Sequence, residues 1–114
     1  MRGHRDRRLA DFIQEEVAQI LREELNDPDL QHLITLSRVE VSPDLKHAKI
    51  YYLVHSPEAE DRVAKGFVRA ASYIRRLLAQ RLHTKFVPEL SFCPDRRSAE
   101  EENLEALFQR IKNE

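Results

Sequence analysis

The stretch from Arg62 to Lys85, RVAKGFVRAASYIRRLLAQRLHTK, restricts the fold of this chain more than any other. It holds seven basic residues and no acid, in a protein whose formal net charge is only -1. At about 100° per residue, Val63, Phe67, Ala70, Ala71, Ile74 and Leu78 share one side of a helix. Arg62, Lys65, Arg69, Ser72 and Arg76 share the opposite side. One face can enter a core while the other shows a row of cations to a partner. Arg81 returns to the apolar side, so the helix is expected to end or bend before it. Gly66 and Ala70-Ala71-Ser72 are small, which permits either the close approach of another backbone or a bend.

The totals set the class. A chain of 114 residues with 41% hydrophobic residues fits one domain, residues 1–114, with one modest core. Charged residues reach 34%, yet both signs are present, which suits a folded domain better than a disordered tail. No run approaches the roughly 20 apolar residues of a membrane span. The opening MRGHRDRR lacks the apolar segment that a secretory signal requires, and with one cysteine in the chain a reducing cytoplasm is the expected compartment. A single cysteine, Cys93, excludes an internal disulfide and a cysteine-based zinc site. Two glycines, Gly3 and Gly66, exclude a glycine-rich phosphate loop.

Residues 1–8, with Arg2, Arg5, Arg7 and Arg8 against Asp6, suggest a basic arm leading into a helix; charge clusters at chain ends are also ordinary solvated termini. Leu9, Ile13, Val17, Ile20, Leu21 and Leu25 recur at helical spacing until Asn26-Asp27-Pro28 stops them. Ile34 to Val41 is rich in branched residues. After the turn Ser42-Pro43-Asp44, the residues Ala48, Ile50, Tyr52 and Val54 alternate with His47, Lys49, Tyr51, Leu53 and His55. The two runs predict an antiparallel hairpin with one face toward helices. Ser56-Pro57-Glu58 opens the basic helix with a cap residue, a proline and an acid suited to the helix dipole. Phe86 to Cys93 reads as a third strand, with Pro88 marking an edge or a bulge. Ser98 could cap a final helix, residues 98–114, carrying Leu104, Leu107, Phe108 and Ile111.

Catalytic chemistry finds no support in the residues. His47 and His55 stand eight apart on a strand, and His4, His32 and His83 show no ligand spacing. No acid pair is isolated among apolar residues, and no Ser-His-Asp pattern has context, so neither an enzyme nor a cofactor is expected. Tyr51 and Tyr73 could stack on nucleotides, although such rings more often pack half buried. A one-sided row of cations is often just a solvated helix face. Here the absence of acids over 24 residues, in a chain that uses acids freely elsewhere, favours a phosphate backbone as partner. A protein-interaction module docking through its basic or helical faces remains the competing class, and a DNA-binding module shares the electrostatics.

The element order is helix, strand, strand, helix, helix, strand, with a tail helix. That is the α+β order of the type II KH domain, whose helices cover one face of a three-stranded mixed sheet. Four motifs narrow the choice: Asp27-Pro28-Asp29-Leu30, the hairpin VEVSPDLKHAKIYY, Ala70-Ala71-Ser72-Tyr73-Ile74-Arg75 followed by Leu77-Leu78, and Val87-Pro88-Glu89-Leu90-Ser91-Phe92. Over roughly residues 7–108 the chain resembles the ribosome-binding factor A family.

The resemblance implies a KH-like fold in which an Ala-x-Gly kink joins two helices in place of the Gly-x-x-Gly RNA clamp. Ala70, Ala71 and Ser72 match that kink, with serine at the glycine position; serine can bend a helix by bonding back to a carbonyl. Glu101 stands where relatives often carry a glycine before the last helix. The resemblance further implies a non-enzymatic, monomeric factor for the free 30S subunit, assisting late 16S rRNA maturation including 5′-end processing. It also implies a role in cold growth and release by an assembly GTPase. On this reading Arg62, Lys65, Arg69, Ser72, Arg75 and Arg76 meet RNA along the helix. Arg81, His83 and Lys85 extend the patch, and Arg5, Arg7 and Arg8 add to it.

Overall fold

The structure, a computed structural model, describes residues 2–31, 34–82 and 86–96, with side chains from Arg7 onward. Helix α1 spans Arg2–Glu23, strand β1 Ile34–Val41, strand β2 His47–Val54, helix α2 Glu60–Leu82 and strand β3 Glu89–Pro94. Short 3-10 turns at Pro28–Leu30 and Pro57–Ala59 precede β1 and α2.

The strands lie in the order β1-β2-β3, with β1 antiparallel and β3 parallel to β2. The sheet is therefore mixed and the architecture α+β. The crossover from β2 to β3 is carried by α2, as a parallel connection requires. Ala48, Ile50 and Tyr52 of β2 point into the core, while His47 and Lys49 are exposed on the other face. This follows the alternation in the sequence.

In β1 the alternation changes phase. Ile34 and Leu36 pair with Val54 and Tyr52, whereas Val39 and Val41 pair with Ile50 and Ala48. Ser37 has no partner in this register, so it forms a bulge, and the extra residue lets apolar side chains at even positions and then at odd ones face the same side. The Ser37 hydroxyl donates to a carboxylate oxygen of Asp95 at 2.5 Å, and the Asp95 side chain is fully buried. Arg38 Nε stands 3.6 Å from the same carboxylate. The residue that follows β3 is thus tied to the bulge in β1, and a buried charge is matched by partners.

Both helices supply the core. Ile13, Val17 and Ile20 of α1 and Val63, Phe67, Ile74 and Leu78 of α2 are almost wholly buried. Phe67 lies between Tyr52, 4.7 Å away by ring centroids, and Phe92, stacked at 4.3 Å and 7°. The third strand is shorter than expected. Phe86 to Pro88 stay outside it because Pro88 has no amide to give the ladder, and pairing begins at Glu89 opposite His47.

Three expectations are corrected. The basic arm is not separate from the first helix: α1 begins at Arg2, so Arg7 and Arg8 are exposed residues of its early turns. The two helices joined by a kink are one element. Helix α2 is an unbroken 23-residue α-helix through Ala70-Ala71-Ser72. Alanine is the strongest helix former, and with serine in place of glycine no residue there lowers the cost of leaving the helical region. The helix also does not stop before Arg81. The helical tail 98–114 lies outside the described residues.

Candidate nucleic-acid interface

Arg62, Lys65, Arg69, Ser72 and Arg76 all lie exposed along the outer side of α2. From Arg62 to Arg76 the row extends roughly 21 Å at about 1.5 Å per residue. The helix presents it because Val63, Phe67, Ala70, Ile74 and Leu78 hold the opposite side against the sheet.

The cations on this row are not equivalent. The guanidinium of Arg69 donates to both carboxylate oxygens of Asp27, at 2.9 and 3.1 Å through Nη2, and to Asp29 at 2.6 Å. These hydrogen bonds, Asp27 first, hold the Arg69 guanidinium above its usual range. Asp27 in turn is lowered from its ordinary 3.8, first by Arg69 and then by the Asp29 amide that it caps. The turn 28–30 is thereby fastened to α2.

Gly66, one helical turn before Arg69, is where that turn touches the helix. A Cβ at position 66 would stand 3.0 Å from Leu30 and 3.2 Å from the Asp29 side chain. The small residue serves close approach, the first of its two expected uses.

Arg81 is the clearest departure from the expected patch. It faces α1, bonding Glu16 at 2.7 Å and Gln19 at 3.2 Å and pairing with Glu24. Its guanidinium is raised, chiefly by Glu16. Its place on the apolar side of the wheel turns it inward toward α1, so its charge is met by the protein itself. Arg75 is exposed but spends Nε and Nη2 on the Pro88 and Val87 carbonyls, at 3.2 and 2.8 Å. It fastens the segment before β3 to α2.

Among the described residues, the side chains of Arg62, Lys65 and Arg76 have no ion pair or hydrogen bond, nor do those of Arg7 and Arg8 at the start of α1. Arg76 lies 5.7 Å above the ring of Tyr73, which is 41% exposed. Tyr51 is engaged on the open face of the sheet, with Arg38 3.9 Å above its ring and its hydroxyl 3.4 Å from Glu40. His83 and Lys85 lie outside the described residues, as does the Arg5 side chain. Among the described residues no group of three or more His, Cys, Asp or Glu could hold a metal ion. No helix there is long and apolar enough to cross a membrane.

The ion pairs show what sequence reasoning missed. A basic stretch without acids can still be met by acids from elsewhere, here Glu16 and Glu24 of α1 and Asp27 and Asp29 of the turn. The wheel position of Arg81 was a usable signal; nothing local marked Arg69.

Comparison with known proteins gives a consistent picture. The family model of ribosome-binding factor A matches residues 5–108. Ribosome-binding factor A of Thermomicrobium roseum is 40% identical over all of this chain and 88% of its own length. The Coxiella burnetii protein of that name is 36% identical over 95% of this chain and 90% of its own. The crystal structure of the Thermus thermophilus factor superposes with a TM-score of 0.64 at 26% identity, covering 84% of this chain and 97% of that one. A homology model of the Thermus thermophilus factor, fitted into a cryo-EM map of its complex with the 30S subunit, gives 0.61 at 27% identity over 83% and 96% of the two chains. With its fold, motifs and nearly full-length relatives in agreement, this chain belongs to the ribosome-binding factor A family.

Proposed function

We propose that the protein binds the free 30S small ribosomal subunit through the outer face of α2 and acts there as a non-catalytic assembly factor. Its task is late maturation of 16S rRNA, including 5′-end processing, with a part in growth in the cold. It works as a cytoplasmic monomer and leaves through an assembly GTPase. The element order supports a KH-like reading in which the second helix is continuous. The observation that carries the proposal is the exposed row Arg62, Lys65 and Arg76, which no acid among the described residues neutralises. The relative fitted into a 30S complex supports the choice of target.

Mechanistically, the row neutralises phosphates along a folded RNA surface and sets the position of the protein. Specificity then comes from the shape of the RNA against a rigid helix. The bound protein favours one rRNA conformation by its differential affinity for it. Arg69 is the second-rank contact, since it must share its guanidinium with Asp27 and Asp29.

The test is co-sedimentation with isolated 30S subunits. Changing Arg62, Lys65 and Arg76 together to Glu is expected to weaken binding by roughly tenfold or more while the circular dichroism stays that of the parent. Arg69 is left intact, so a loss cannot be blamed on release of the turn 28–30. Undiminished co-sedimentation of the triple variant would remove this face from the interface.

A further inference from the structure

Tyr73 stands on the border of the cation row, and contacts to phosphates alone make no use of it. On a helix its neighbours three and four residues away are Arg69, Ala70, Arg76 and Leu77. Ala70 is buried and Leu77 half-buried, whereas Arg69 and Arg76 are exposed. The tyrosine is therefore flanked by core on one side and by two cations on the other, and it is 41% exposed. The other two tyrosines of the chain are engaged. Tyr52 lies in the core, and Tyr51 sits beneath Arg38 with its hydroxyl toward Glu40. Among the described residues the Tyr73 hydroxyl has no hydrogen bond.

The two flanking arginines differ in how firmly they are held. Arg69 is fixed by Asp27 and Asp29. Side chains on a helix lean toward its N-terminus, so Arg76 reaches back over the ring of Tyr73. Its guanidinium carbon stands 5.7 Å from the ring centroid, near the limit of about 6 Å for a cation–π contact. So loose a contact leaves Arg76 able to turn to a phosphate and the ring able to take another partner. An exposed ring beside cations is the makeup of a single-strand platform, where bases stack on the ring and the cations follow the backbone. Duplex RNA keeps its base faces inside the stack, so a ring on this row gains nothing from it.

We propose that Tyr73 receives an unpaired base of ribosomal RNA, stacked on its ring, with the adjoining phosphate at Arg76. The inference rests on the reading that RNA lies along α2. It deepens that reading from phosphate contacts, which carry little sequence information, to a contact with a base. The segment met by this part of the row is then single-stranded.

Photo-crosslinking on free 30S subunits tests it, using the full chain with p-benzoylphenylalanine at position 73 or, separately, at position 68. Val68 is 80% exposed on the opposite border of the row and reports on the underlying reading. Both probes are expected to reach 16S rRNA, the probe at 73 at an unpaired nucleotide. In co-sedimentation, Tyr73→Leu is expected to bind roughly tenfold more weakly while melting as the parent does. Tyr73→Trp, which offers a larger stacking surface, is expected to bind at least as well as the parent. Binding that is equal in the Leu and Trp variants would overturn the stacking contact. So would RNA cross-links from position 68 alone, with position 73 reaching a ribosomal protein or paired nucleotides; either result leaves the row standing. If neither probe reaches RNA in a protein that still co-sediments, the RNA reading of α2 fails with it.

Discussion

Arg69 and Asp27 show how one residue can serve the fold on the surface that is proposed to serve binding. Asp27 is held below its ordinary 3.8, first by the Arg69 guanidinium. A carboxyl whose pKa is depressed on folding adds stability at pH values above its unfolded pKa. That contribution is lost as pH falls through the lower folded value. Asp27→Asn keeps an acceptor for the Asp29 amide but gives up the charge. The stability difference between parent and variant is therefore expected to be constant near neutrality. It should shrink toward zero as urea melts are taken below about pH 4. A difference that persists unchanged into acid would place the effect in the cap. Ser37 is the other informative residue. Ser37→Ala withdraws a donor from the buried Asp95 carboxylate, an effect of about 1–3 kcal/mol in the same melts. Little change would mean that the other partners of Asp95 suffice.

At the scale of elements, α2 carries both the core and the proposed interface, and the two demands meet at Gly66. Gly66→Ala gains about 1 kcal/mol of helix propensity. It also pushes a methyl to 3.0 Å from the buried Leu30, and overpacking costs about 1–3 kcal/mol. A net loss of roughly 1 kcal/mol is expected, and a rise in melting temperature would show that the turn 28–30 yields easily. Phe67 is less tolerant. It packs between Tyr52 and Phe92, so Phe67→Ala is expected to cost about 3–5 kcal/mol, enough to unfold a marginal domain. The start of this helix was legible in the sequence through Ser56-Pro57, and its buried face through the apolar periodicity, but its end past Arg81 was not. Its continuity was not, because a motif resemblance suggested a kink while the residues at 70–72 have no reason to break.

For the molecule as a whole, a net charge of -1 hides a division of labour among the cations. Some hold elements together: Arg69 binds the turn 28–30 to α2, Arg81 binds α2 to α1, and Arg75 binds α2 to the segment before β3. Others face water without a carboxylate. If only the latter meet RNA, affinity for the 30S subunit should fall with salt. The log–log slope of the triple Glu variant should be flatter than the parent's by roughly 0.7 for each single-strand phosphate contact removed. Parallel slopes would show that the missing charges never met phosphate. The stability of the free protein should be far less salt-sensitive than its binding, because the core is apolar and exposed ion pairs contribute little.

By itself the sequence determined the order of α1, β1, β2, α2 and β3 and which face of α1, α2 and β2 enters the core, because burial follows the periods of 3.6 and 2 that side chains must obey on helices and strands. It also showed, through motifs spread along the chain, which family those elements belong to. Only the tertiary structure decided which cations are spent. The carboxylates that meet Arg69 and Arg81 lie 40 to 65 residues away in the chain, and attraction acts through space while sequence records only neighbours along the chain. The phase change at Ser37 was written in the spacing of Leu36 and Val39. Its meaning waited on the buried Asp95, whose partner lies two strands away across the sheet.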